Sequence, residues 1–435
     1  MQARTGGVAR AMLWLALAVA GALPALVLRV LGAHPDEAAG AIAWRGGELP
    51  AALASLVFGL AVLAGAFLVS WSAELLQFDV SRNLATALIA LLAVLPEYTV
   101  DIYLAWTAAT VPENAPLALA NMTGANRLLI GIGWPLISIA WWMTRGRKLI
   151  RLERSRWGEV FFLAAATLYS FVIPIKGQLN LFDSAILLAI FVMYIRYAVR
   201  QDVVEPELAG PPEVIGLLPV WPRRAVTLLM FLFAGATLFA AAEPFAEGLK
   251  LTGRDWGVSE FLLIQWLAPL ASESPEFIIV MVFALQGKAA TGFGTLLSSK
   301  VNQWTLLVSM VPIAYGLGLV VHGQHLAAMP LDARQLGEVL LTSAQSFFAV
   351  MIVLNRRFEL KEAIWLLTLF LAQFGLSIAI EEGVDPARHD ALFAIEKSIF
   401  SVAYIVLGTI ELVRYRRSIR PLARMVWSAE TRTAE

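Results

Sequence analysis

Apolar residues run along this chain in long, nearly unbroken blocks separated by short polar gaps. Alternation of period two is absent, and the blocks are too long for barrel strands. A bilayer core about 30 Å thick is crossed by about 20 apolar residues in a helix. The pattern predicts twelve such helices, at about 11–31, 52–73, 84–109, 117–143, 158–175, 181–198, 225–246, 258–286, 292–321, 336–354, 362–380 and 392–413. The expected fold class is therefore an all-α polytopic membrane protein.

Composition agrees. Of 435 residues, 59% are hydrophobic and only 15% charged, and the mean hydropathy is +0.72. A soluble domain carries about 25% charged residues. Disorder is excluded by the hydrophobicity. The 33 basic and 33 acidic residues balance, which argues against a nucleic-acid partner. With no cysteine, disulfides, thiolate ligands and a cysteine nucleophile are ruled out.

Loop charge predicts the orientation. Arg145, Arg147, Lys148, Arg151, Arg154 and Arg156 crowd one loop. Arg200, Arg223 and Arg224, then Arg356, Arg357 and Lys361, then the basic tail from Arg414 onward, fall on the same side, together with Arg4 and Arg10. The opposite side has scattered cations: Arg45, Lys176, Lys250, Arg254, Arg334 and Arg388. Both termini are expected in the cytoplasm, with the chain in a bacterial inner membrane. The first apolar block follows Arg4 and Arg10 as a signal peptide would. It is longer than a usual signal core and ends in no clear small-x-small site, so a retained helix is expected.

The chain also repeats itself. Leu95-Pro96-Glu97-Tyr98 recurs 179 residues later as Ser274-Pro275-Glu276-Phe277. The same step carries Leu152-Glu153 onto Leu331-Asp332, and Gly158-Glu159-Val160 onto Gly337-Glu338-Val339. The expected organisation is an N-terminal helix and loop (1–50), a five-helix repeat (51–200), a Pro-rich cytoplasmic linker (201–224), a second repeat (225–381), and an extra helix with a basic tail (382–435). Five is odd, so the second copy crosses in the opposite sense. Inverted repeats of this kind are a signature of secondary transporters.

Acids inside the spans need a physical reason, since a charge at mid-bilayer costs roughly 2.5–3.5 kcal/mol. Glu97 and Asp101 lie one turn apart on one helix; Glu273 and Glu276 lie three apart on its repeat mate, flanked by Ser272 and Ser274. Pro96 and Pro275 cannot donate to the preceding turn, which frees carbonyls beside the acids. Carboxylates, hydroxyls and free carbonyls make an oxygen shell suited to hard cations. The helix after each acid pair opens with a polar cluster: Asn121-Met122-Thr123-Gly124-Ala125-Asn126-Arg127, then Ser298-Ser299-Lys300-Val301-Asn302-Gln303. The 179 step sets Asn121 on Lys300. Asn, Ser and Thr here serve either an ion site or interhelical packing. Tyr98, Trp106, Trp134, Trp141 and Trp142 read as interfacial anchors or packing.

These residues resemble the cation/Ca²⁺ exchanger superfamily, the sodium/calcium exchanger-like antiporters. That family pairs a Gly-Thr-Ser-x-Pro-Glu element with a Gly-Asn-x-x-Gly-Ser-Asn element in each inverted half. Here the elements read Ala93-Val94-Leu95-Pro96-Glu97 with Ala120-Asn121-Met122-Thr123-Gly124-Ala125-Asn126, and Ala271-Ser272-Glu273-Ser274-Pro275-Glu276 with Ser299-Lys300-Val301-Asn302. The resemblance implies exchange of Ca²⁺ for Na⁺ or H⁺ by alternating access, with the ion between the two Pro-Glu helices. It matches Glu97 and Glu276 to the central ion-binding glutamates, Asn121 to an amide or acid position, and Ser272 to a hydroxyl ligand.

Three departures matter. Val94 and Leu95 replace hydroxyls, which weakens a Na⁺-type site. Asp101 and Glu273 are additional acids. Lys300 replaces an Asn or Asp, and a buried ammonium either fills one ion position or titrates. Both readings favour proton coupling.

The implied partners are the lipid bilayer and small inorganic cations. No resident cofactor and no enzymatic activity are expected. Alternatives are an antiporter of another cation, a non-transporting scaffold of the same fold, and an intramembrane metal enzyme. The last normally recruits histidine, whereas His34, His322, His325 and His389 all fall in expected loops.

Overall fold

The structure is a computed structural model that describes residues 2–79, 91, 92, 94–153, 156–200, 208 and 210–416. It is helical, with short strands only in the connections. Helix α1 spans Gln2–Val30, followed by strands β1 His34–Asp36, β2 Ala41–Trp44 and β3 Gly47–Pro50, then α2 Ala51–Leu76 and α3 Leu95–Thr107. Next come α4 Asn114–Arg145, β4 Leu149–Arg151, α5 Trp157–Lys176 (turning at Phe171), β5 Gln178–Leu179 and α6 Leu181–Ala198. The second half has α7 Pro211–Ile215, α8 Val220–Trp256, α9 Glu260–Leu285, α10 Ala289–Val321, β6 Met329–Pro330, α11 Ala333–Val353, β7 Arg357–Glu359 and α12 Leu360–Gly383. Helix α13, His389–Tyr415, closes the described chain.

Eleven helices among the described residues are long and apolar enough to cross a membrane. The expected span at 84–109 falls partly on 80–90, outside the described residues; its described part includes α3. Two expectations need correction. Helix α8 runs to Trp256, well past the expected end at 246. Lys250 is therefore not a loop cation but a buried helical residue, paired with Glu247 at 2.9 Å. His34 lies in a strand and His389 opens α13, so neither is in an irregular loop.

The chain forms two compact units that interleave the sequence halves: 1–103 with 202–275, and 104–201 with 276–435. In the first unit α1, α2 and α8 pack together. Small residues allow the close approach of α2 and α8. A Cβ on Gly65 would come within 2.8 Å of the Leu238 side chain, and one on Gly59 within 2.9 Å of the Phe245 ring. Without a hydrophobic drive between helices in lipid, such contacts and interhelical hydrogen bonds hold the pair. Ser55 and Thr252 add one at 3.2 Å. Beyond the end of α2, Asp79 accepts from Arg223 and Arg224, both at 2.9 Å. The Arg223 hydrogen bond, reinforced by Arg224, holds the Asp79 carboxyl below the ordinary carboxylate value.

In the second unit the inverted repeat becomes visible in the backbone. Strand β4 pairs antiparallel with β7, and β5 pairs antiparallel with β6. Shifting β4 by 179 residues lands on β6, and shifting β5 by 179 lands on β7. Each strand thus pairs with the repeat mate of its neighbour, as a two-fold relation between copies requires. Helices α4 and α10 each contain one π turn, Leu129–Gly133 and Gln303–Leu307. Such turns often mark functional sites. Trp134, fully buried beside the first, packs on Phe293 at 5.0 Å and Phe358 at 6.0 Å. Its role is packing rather than interfacial anchoring.

Candidate ion-binding site

The acid-bearing helices differ between the copies. Residues 91 and 92 are helical, Val94 is a turn, and α3 starts at Leu95. Pro96 therefore sits in the first turn of a new helix, where a missing N–H costs little. Pro275 lies inside the continuous α9, as does Pro269.

In the first unit, Glu97, Asp101 and Glu273 are 2%, 1% and 0% exposed. Thr99 Oγ1 donates to the Pro96 carbonyl at 2.7 Å. The Ser272 hydroxyl is within 3.3 Å of the Pro269 carbonyl, and that of half-buried Ser274 donates to the Leu270 carbonyl. Their protons are directed to their own helix, but a hydroxyl oxygen keeps lone pairs for a cation. Tyr103, two residues beyond Asp101, donates to Glu247 at 3.1 Å.

In the second unit, half-buried Glu276 accepts from Ser299 Oγ at 2.9 Å. Ser299 is the second residue of the polar cluster of α10, and Lys300 follows it, with no exposure at all. Lys300 Nζ donates to Asn126 Oδ1 at 2.6 Å and lies 3.3 Å from the Asn126 carbonyl oxygen. It also sits 4.4 Å from the centre of the Trp304 ring. Asn126 Nδ2 donates to the Met122 carbonyl at 2.9 Å, which aims Oδ1 at the ammonium. Asn121 is buried five residues earlier on α4.

The two π turns lie 174 residues apart, not 179. The connection 286–288 is three residues shorter than 108–113, which accounts for most of the change in register. In the register of α4 and α10 the mate of Lys300 is thus Asn126, not Asn121 as the 179 step implied. Repeat mates that touch lie on the two-fold axis relating the copies. Lys300 and Asn126 do so.

Sequence reasoning missed a second buried polar group in this unit. Arg127 donates to Glu338 at 2.7 Å and to Gln373. Lys397 pairs with Glu338 at 3.2 Å and with Glu396 at 3.5 Å. Gln373 also donates to Glu396 and, at 2.7 Å, to Ser377. All six are at most 5% exposed. Charges at helical spacing within apolar spans were the available signal. Among the described residues, no set of three or more His, Asp or Glu is grouped as a metal cage.

Known families match this architecture. The family described as sodium/calcium exchanger protein matches residues 50–200 and 226–379. The chain belongs to this family. A crystal structure of an H⁺/Ca²⁺ exchanger, CAX, aligns with the exchanger at a TM-score of 0.86 and 39% identity, covering 97% of this chain and 98% of that one. Structures of the sodium-calcium exchanger NCX_Mj align at a TM-score of 0.51 and 16% identity, covering 75% and 98%, and share the fold. A search of curated proteins found no match. The exchanger is thus an integral membrane cation antiporter of the cation/Ca²⁺ exchanger superfamily.

Proposed function

We propose that this exchanger moves Ca²⁺ out of the cytoplasm against protons, with Glu97 and Glu276 as its principal ion ligands. The observation that carries the reading is the doubled Pro-Glu element on repeat-related, apolar helices, in a chain aligned over 97% of its length with an H⁺/Ca²⁺ exchanger. Asp101 and Glu273 add charge or take up protons. Ser272, Ser274 and Asn121 contribute neutral oxygens.

Coupling follows from charge. Two carboxylates neutralise one Ca²⁺, and two protons neutralise the same carboxylates. Ca²⁺ and protons then compete for the same oxygens, so loading one releases the other. The empty, doubly charged form is the costly one to carry through the membrane interior, at roughly 2.5–3.5 kcal/mol for each charge. Return without cargo is thereby suppressed. Protons are favoured over Na⁺ because Ala93 and Leu95 put apolar side chains ahead of Glu97, where the second copy has Ser272 and Ser274. The basic loops support an inner-membrane location with cytoplasmic termini.

In proteoliposomes, a pH gradient should drive Ca²⁺ uptake in the absence of Na⁺. Glu97→Gln and Glu276→Gln should each reduce it at least tenfold. Ca²⁺ uptake that persists in both variants would remove these residues from the centre. Uptake driven by a Na⁺ gradient and indifferent to pH would replace the proton by Na⁺.

A further inference from the structure

We propose that the Lys300 ammonium is a built-in monovalent cation, occupying a cation position on the two-fold axis that relates the repeats. The proposal rests on the reading of the chain as a proton-coupled Ca²⁺ antiporter. Its consequence is that the exchanger needs no Na⁺ or K⁺ to work, because that charge is tethered to α10.

The surroundings of Nζ carry the argument. An amide oxygen at 2.6 Å, a main-chain carbonyl at 3.3 Å and an indole face at 4.4 Å surround it. Amide and carbonyl oxygens are what a dehydrated alkali cation takes in place of water, and an aromatic face adds attraction for any cation. The carboxamide is already oriented for this by its bond to Met122.

The internal repeat provides the control. In the register set by the π turns, the sister position in α4 is Asn126. The fold therefore accepts a neutral amide at this place in one copy, and the positive charge in the other is not a requirement of the backbone. A fully buried ammonium within a membrane-spanning helix is expensive, so its charge has a use. Ser299, the preceding residue, holds Glu276 at 2.9 Å. The fixed charge thus stands one residue from the group that positions a central acid.

Removing the ammonium should leave a vacant cation position between Asn126 and Trp304. The test is pH-gradient-driven Ca²⁺ uptake by the full chain in liposomes buffered with N-methylglucamine alone. Li⁺, Na⁺ or K⁺ is then added equally on both sides, so that none supplies a driving force. Wild type should be unaffected by the additions. Lys300→Ala should lose at least tenfold and recover several-fold with one of the ions, whereas Lys300→Arg should keep most of the flux without any. Should Lys300→Ala fail to elute as a monodisperse peak, Lys300→Asn decides. It recreates an Asn–Asn pair on the axis and should show alkali-stimulated flux. Wild-type rates in either neutral variant without added ions would overturn the proposal, as would a loss that no ion repairs in both. Failure of wild type itself to take up Ca²⁺ would instead strike the functional reading beneath it.

Discussion

Glu159 and Glu338 are repeat mates, 179 residues apart, each near the start of its helix. Glu159 accepts from Arg156, three residues before it and a third exposed, at 3.0 Å, and from Ser298 at 3.3 Å. Glu338 is enclosed by Arg127 of α4 and Lys397 of α13. The two acids share a place in the repeat but not an energetic environment. Part of the difference comes from Arg127, and part from α13, which has no counterpart in the repeat and packs along α11. Duplication supplies two equivalent scaffolds, and an added helix makes one of them unlike the other.

The largest expected effect breaks this contrast directly. Removing one partner of a buried ion pair costs about 3–5 kcal/mol, because the other charge is left uncompensated. Glu338→Ala should cost that much and Glu159→Ala about 1 kcal/mol, the level of a partly exposed pair. Thermal unfolding in detergent reads the difference. Equal losses would mean that α13 contributes nothing particular to Glu338. The double change Glu338→Gln with Lys397→Met should recover part of the single-variant loss, since no lone charge remains.

Next come the glycines one residue earlier. A Cβ on Gly158 would approach the Tyr197 ring to 1.9 Å, and one on Gly337 would approach Lys397 Cδ to 2.7 Å. An aromatic ring held in a helix packing cannot yield easily, whereas a lysine stem can rotate. Overpacking typically costs about 1–3 kcal/mol. Gly158→Ala should fall at the upper end of that range and Gly337→Ala at the lower. A reversed order would show that Lys397 is held rigidly, which would strengthen the claim for the Glu338 network.

The contrast also explains what could be read in the sequence. Helices α2, α6 and α9 to α13 were legible because each is a long apolar block, and the repeat because Pro96-Glu97 and Pro275-Glu276 keep their spacing. The acids stood out as charges in apolar surroundings. Glu338 was visible as a repeat match yet not as a network, because Lys397 and Glu396 belong to a helix outside the repeat, and packing partners distant in sequence leave no periodic trace. Lys300 was set against Asn121 rather than Asn126 because one connection is three residues shorter, and a fixed step cannot register a local deletion. The start of α3 at Leu95 was hidden as well: an apolar run through a proline looks the same whether a helix bends there or begins there.

The smallest effect separates buried charge from charge at the membrane edge. Asp79 is held by Arg223 through Nη2 at 2.9 Å and Nε at 3.4 Å, with Arg224 at 2.9 Å, and lies beyond the end of α2. Its folded carboxyl titrates below the ordinary value, chiefly through the Arg223 hydrogen bond. A group depressed on folding adds stability that is fully present above its unfolded value and is lost as pH falls through the folded one. The loss should thus begin near about pH 4, the ordinary aspartate range, and continue below it. Arg223→Gln should lower the unfolding midpoint modestly at neutral pH and flatten this acid limb. The Glu338 network predicts the opposite balance: its loss should be large at neutral pH, with surface charge making little difference. If Arg223→Gln proved as damaging as Glu338→Ala, the junction between α2 and α8, rather than the buried network, would be the more strained dependence of this fold on charge.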